Sequence, residues 1–141
     1  MATPNGLNPN FDGMTNKKKI ISATAVGETY TLTKDDSGSI FVFDRAAGCT
    51  VTLPANTAGL TYEFMMTVSP TSGAAKVITA AGTELLVGNL FGVDTDTGDA
   101  LVAYPALATD SYIAISLNGS TTGILGSRFS VTNLSATQWM V

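Results

Sequence analysis

The chain has 141 residues, a net charge of −4, no histidine and one cysteine. That length suits a single domain with a sizeable core. The charge disfavours nucleic acid as main partner, since phosphate binding needs clustered Lys and Arg. The missing histidine excludes Ser-His-Asp, Cys-His and His-zinc chemistry, and the lone Cys49 excludes an intrachain disulfide and reads as a buried free thiol. Only 13% of residues are Asp, Glu, Lys or Arg, about half the usual ~25%. A surface so rich in Thr, Ser, Gly, Ala and Asn loses little solvation when packed against neighbouring proteins.

Residues 1–18 read as an extended N-terminal arm ahead of a single β domain at 19–141. Pro4, Pro9, Gly6 and Gly13 support neither helix nor strand. Leu7, Phe11 and Met14 are spaced along the arm as isolated apolar anchors. Both a frayed terminus and an arm that orders on a partner fit this composition. Lys17, Lys18 and Lys19 close the arm, as a solvated charge run or as a contact to an acidic partner surface. The apolar run after them is too short for a signal peptide, and no stretch approaches the ~20 residues of a membrane span. Two glycosylation triplets, at Asn118 and Asn133, carry little weight without a secretory signal.

From Lys19 onward the apolar period is two, the mark of strands with one buried face. Tyr30 and Leu32 alternate with threonines, as do Val51 and Leu53. Tyr62, Phe64, Met66 and Val68 form a longer row, with Glu63 on the outward side as a surface residue. Ile113, Ile115 and Leu117, then Phe129 and Val131, then Trp139 and Val141 continue the pattern. Ile40-Phe41-Val42-Phe43 is apolar on both faces, which suits a strand covered on both sides or one at a subunit interface. Glycine turns punctuate these runs at short intervals. The expected fold is therefore all-β, an antiparallel sandwich or barrel. The best helical stretch, residues 100–108, is broken by Pro105, so at most a turn or two of helix is expected. Trp139 and Phe43 lie in strand-period patterns and are assigned to the core. No long tandem repeat is visible.

No nucleophile elbow, phosphate loop or dinucleotide turn occurs. Glu28, Glu63 and Glu84 could in principle supply two-carboxylate sugar hydrolysis, but nothing in the sequence pairs them. Asp94, Asp96 and Asp99 surround Gly98 like the start of a calcium loop, although Tyr104 stands where a bidentate Glu would close it. A solvated acidic turn is the simpler reading. No cofactor is indicated, and no enzyme is expected.

Residues 30–64, YTLTKDDSGSIFVFDRAAGCTVTLPANTAGLTYEF, resemble a segment of bacteriophage head-decoration proteins, also called cement or head-fibre proteins. Its form is a Thr-rich strand, a D-S-G turn, an apolar strand, then A-A-G-x-T-V-T-L-P and a G-L-x-Y-x-F strand. The resemblance covers about a quarter of the chain. It implies a β-rich, commonly oligomeric module attached to the outside of a capsid or fibre, without separating head from tail; together with the low charge and the arm, the expectation is a protein made in the host cytoplasm that decorates the outer capsid surface by binding the major capsid protein, as a homo-oligomer with a trimer favoured. Leu7, Phe11, Met14, Lys17, Lys18 and Lys19 are the candidate attachment residues. A phage fibre or a receptor- or carbohydrate-binding module is the alternative.

Overall fold

Strand-forming alternation extends through most of the chain, and in the computed structural model it produces eleven strands among the described residues, which are 18–93, 101–106, 113–119 and 123–141. They are β1 (Ile20–Ser22), β2 (Thr29–Thr31), β3 (Ile40–Phe43), β4 (Cys49–Thr52), β5 (Thr61–Met66), β6 (Ala75–Ile78), β7 (Leu85–Val93), β8 (Leu101–Ala106), β9 (Ala114–Leu117), β10 (Arg128–Ser135) and β11 (Gln138–Met140). A seven-stranded sheet has the order β1-β3-β5-β10-β11-β7-β8, and a four-stranded sheet the order β2-β4-β6-β9.

The antiparallel sandwich or barrel expected from the sequence is not what forms. Both sheets are mixed. From β1 to β6, consecutive strands alternate between the sheets, so each strand's hydrogen-bonded neighbour lies one coil further along the chain. β1, β3 and β5 therefore run parallel in one sheet, and β2, β4 and β6 parallel in the other. Later strands close the sheets in mixed fashion: β9 is antiparallel to β6 and β10 antiparallel to β5, while β11 lies parallel to β7. Parallel neighbours need a long crossover, and here the intervening strand of the opposite sheet supplies it. The coils stack closely where their turns meet. A Cβ on Gly48, whose φ is +75°, would lie 2.4 Å from the carbonyl oxygen of Ala74.

The period-two rows point into one core. Phe41, Phe43 and Phe64 from the larger sheet meet Val51 and Val77 from the smaller. Phe64 stacks on Phe129 at 5.0 Å between ring centroids, and Tyr62 tilts against Trp139 at 5.9 Å. Trp139 and Phe43 are buried as expected. Fully burying a side chain of this kind contributes about 1.5–3 kcal/mol. Cys49 is a buried free thiol.

Two short helical pieces occur among the described residues: α1 (Ala23–Val26), capped by Ser22 Oγ accepting from Ala25 N, and a 3-10 turn at Lys34–Asp36. The proline-broken stretch weighed as helix contains strand β8. Pro105 lies opposite Asn89 in this edge strand, a place where a missing N–H is tolerated. The row predicted to run to Val68 leaves its strand at Met66. No helix among the described residues is long and apolar enough to cross a membrane.

Candidate interaction face and arm root

The larger sheet turns one face to the core and the other outward. Registers place Ile20, Ile40, Glu63 and Ser130 in one outward row across β1, β3, β5 and β10. Ser22, Val42, Met65 and Arg128 form the next. Ile40, Val42 and Met65 are half-buried, and Ile20 is 68% exposed. The apolar second face of β3 is thus part of an apolar stripe on the outside of the sheet, because the smaller sheet covers only the side that carries Phe41 and Phe43.

Charged groups border this stripe where the chain enters the domain. Glu63, expected at the surface, is 7% exposed. Lys18 Nζ donates to its Oε2 at 2.5 Å, and the Arg128 guanidinium forms an ion pair with Oε1. The hydrogen bond from Lys18 holds the Glu63 carboxyl below its ordinary range, against the effect of burial, and the positive charge of Arg128 adds to it. These groups line a cleft of about 490 Å³ together with Gly38, Ser39 and Thr61. Two cations share a single carboxylate there, so the cleft is net positive on a chain that is negative as a whole. The hydroxyl of Ser39 is buried and has no hydrogen-bond partner among the described residues.

Two more carboxylates fasten the first strand, Asp36 at the residue before it and Asp44 at its far end. Asp36, read from sequence only as a turn residue, is 2% exposed. Its Oδ2 accepts from Thr33 N at 2.9 Å and from Thr33 Oγ1 at 2.8 Å, and its Oδ1 accepts from Lys19 Nζ at 2.5 Å. Burial raises the Asp36 pKa, but the bonds from Lys19 and Thr33 outweigh it and hold the group below its ordinary value. Asp44, at the end of β3, accepts from Ser22 Oγ at 2.5 Å and Thr24 N at 2.7 Å. Burial again pushes upward, and these bonds win. Tyr62 completes the cluster by donating from its hydroxyl to Thr33 O at 2.8 Å, with burial pushing its pKa up to about 12.

Lys18 and Lys19, expected as a solvated charge run or a contact to an acidic partner, are each paired with one of the domain's own carboxylates. They retain spare donors, because their side chains stay 52% and 61% exposed. Leu7, Phe11, Met14 and Lys17, and the acidic residues Asp94, Asp96 and Asp99, lie outside the described residues. Sequence reasoning missed Asp36, Asp44 and Glu63 as a set, although the D-S-G turn and the outward position of Glu63 were in view. Only the fold brings them to the chain's first strand, Asp36 and Glu63 at the residues before it and Asp44 at its far end.

The three glutamates available for two-carboxylate chemistry have separate surroundings. Glu28 is exposed beside Arg45, Glu63 lies in the cleft, and Glu84 accepts from Asn56 N. Among the described residues no cluster of His, Cys, Asp and Glu is arranged to hold a metal ion. Compared with known proteins, the chain matches no family model, no curated protein and no solved structure.

Proposed function

We propose that this chain is a structural subunit that binds other protein subunits through the outward face of its larger sheet and through the arm rooted beside it. The proposed setting is the outer surface of a bacteriophage head, with the major capsid protein as partner. One observation carries the binding face: β3 is apolar on both sides, and its second side lies on the outside of the sheet, next to a net-positive cleft. A contiguous outward apolar stripe with a polar rim is the pattern of a protein-binding patch. The cleft matches an acidic side chain of the partner, which would complete the pairing of Lys18 and Arg128. The capsid setting is supported by the resemblance of residues 30–64 and by the low charge content.

Such a subunit stabilises a lattice by mass action, because it binds the assembled form alone. Repetition over symmetry-related sites multiplies weak contacts into avidity. The pairing of Lys18 and Lys19 serves this role physically: two carboxylates, Glu63 and Asp36, fix where the proposed arm would leave the domain, so its apolar anchors would start from a defined point.

The test is to mix the purified chain with expanded, undecorated phage heads and measure sedimentation and lattice occupancy by electron microscopy. Saturable binding is expected. It should be lost on deletion of residues 1–16 and weakened by Ile20→Lys, with the circular dichroism spectrum unchanged in both variants. Absence of binding to any head, or full binding by both variants, refutes the proposal.

A further inference from the structure

The charged groups that line the cleft form one triad. Lys18 Nζ donates to Glu63 Oε2 at 2.5 Å and the Arg128 guanidinium pairs with Oε1, so each oxygen of a single carboxylate holds one cation. The three differ in freedom. The Lys18 and Arg128 side chains are 52% and 60% exposed, whereas that of Glu63 is 9% exposed. Cations this open keep unused donors, since an ammonium has three and a guanidinium has five. The cleft itself, about 490 Å³, has the size of a small-ligand pocket and leaves room beside Glu63 for a second acceptor.

Burial decides how that acceptor is met. A buried carboxylate stripped of its cations is costly, so Lys18 and Arg128 do not abandon Glu63 when they bind something else. They bridge it to the newcomer through their unused donors. A second carboxylate then lies across the same two cations from Glu63, and the like charges repel at short range. The one surplus positive charge of the cleft draws a ligand in, and the fixed negative charge of Glu63 limits how tightly it is held.

We propose that the cleft is a carboxylate-binding site whose affinity is limited by its own glutamate, with Lys18 and Arg128 bridging Glu63 to an Asp or Glu side chain of a partner protein. The assignment rests on the outward binding face proposed above, and it adds the group that is bound and the residue that sets its strength. Position selects the occupant. Glu63 shares one outward row with Ile20 and Ile40, so whatever fills the cleft also meets an apolar surface, and a protein face supplies an acidic side chain beside apolar ones. Nucleic acid does not fit, because its phosphates need clustered cations and the chain as a whole carries −4. A contact kept weak at each copy also suits a subunit retained by repetition over many sites.

The test is an NMR titration of the full chain with the α-amide of N-acetylglutamate, which presents one side-chain carboxylate. The backbone N–H signals of Gly38, Thr61 and Ser130, all in the cleft lining, report binding. Saturable shifts are expected for the wild type. Arg128→Gln should loosen the probe about tenfold or more, since it removes a charge-assisted donor. Glu63→Gln keeps an oxygen acceptor and removes the repelling charge, so it should tighten the probe about tenfold, opposite to the effect of losing a purely structural ion pair. If Glu63→Gln fails to fold, Glu63→Thr takes its place and should shift affinity in the same direction. No saturable shift in the wild type, undiminished affinity in folded Arg128→Gln, or affinity unchanged or lowered in a folded Glu63 variant overturns the inference. Phage heads play no part in this measurement, so a failure of the capsid setting leaves it standing, and its own failure leaves the effect of Ile20→Lys on head binding to judge the apolar stripe.

Discussion

Replacing Asp36 by alanine tests whether Lys19 and the turn at Thr33 are held as described. The carboxylate accepts two hydrogen bonds from Thr33, at 2.9 and 2.8 Å, from a side chain almost fully removed from solvent. Hydrogen bonds to a charged group contribute about 1.5–3 kcal/mol each, and a pair on one carboxylate is less than additive. The truncation also strands the Thr33 N–H. The ion pair with Lys19 adds little, because the lysine is solvated. The expected loss for Asp36→Ala is about 2–4 kcal/mol at pH 7, read as a lowered urea midpoint at unchanged slope. Acidity supplies an internal control. The folded-state pKa of Asp36 is lowered from 3.8, so its contribution is complete above that value and is lost as pH falls through the lower folded-state pKa. Wild type and variant should therefore converge in stability below pH 3.8. A difference under about 0.5 kcal/mol at pH 7, or one that persists undiminished in acid, refutes the reasoning.

Two further perturbations probe the body of the fold. Gly48→Ala places a methyl group against the Ala74 backbone at a positive φ; a loss of about 2–4 kcal/mol is expected, and a melting temperature within a degree of wild type would show that the coils do not stack there. Burial raises the Cys49 thiol pKa, so a disulfide reagent at pH 8 should label it only at the rate of unfolding. Rapid labelling of the native chain would contradict its place in the core.

Much of the fold was legible locally. The rows Val51 and Leu53, and Tyr62, Phe64 and Met66, are buried as their alternation predicts, because a strand's pleat assigns faces by counting residues in twos. Pairing was not legible. The same alternation fits parallel and antiparallel neighbours, and from β1 to β6 the turns that suggested an antiparallel sandwich or barrel carry the chain to the opposite sheet. Pro105 was a local signal read in the wrong frame, since it interrupts a helix but is accepted in an edge strand.

The candidate site divides in the same way. Composition and periodicity by themselves determined a β-rich chain with little charge, a buried Cys49 and Trp139, and a β3 segment apolar on both faces, since each of these follows from side-chain chemistry and near neighbours. Only the tertiary structure decided that Glu63 would be enclosed by Lys18, 45 residues away in sequence, that Asp36 would hold Lys19, and that the second face of β3 would open outward beside a positive cleft. Those are long-range encounters, and their partners are chosen by which strands share a sheet, a choice made by packing of the whole chain.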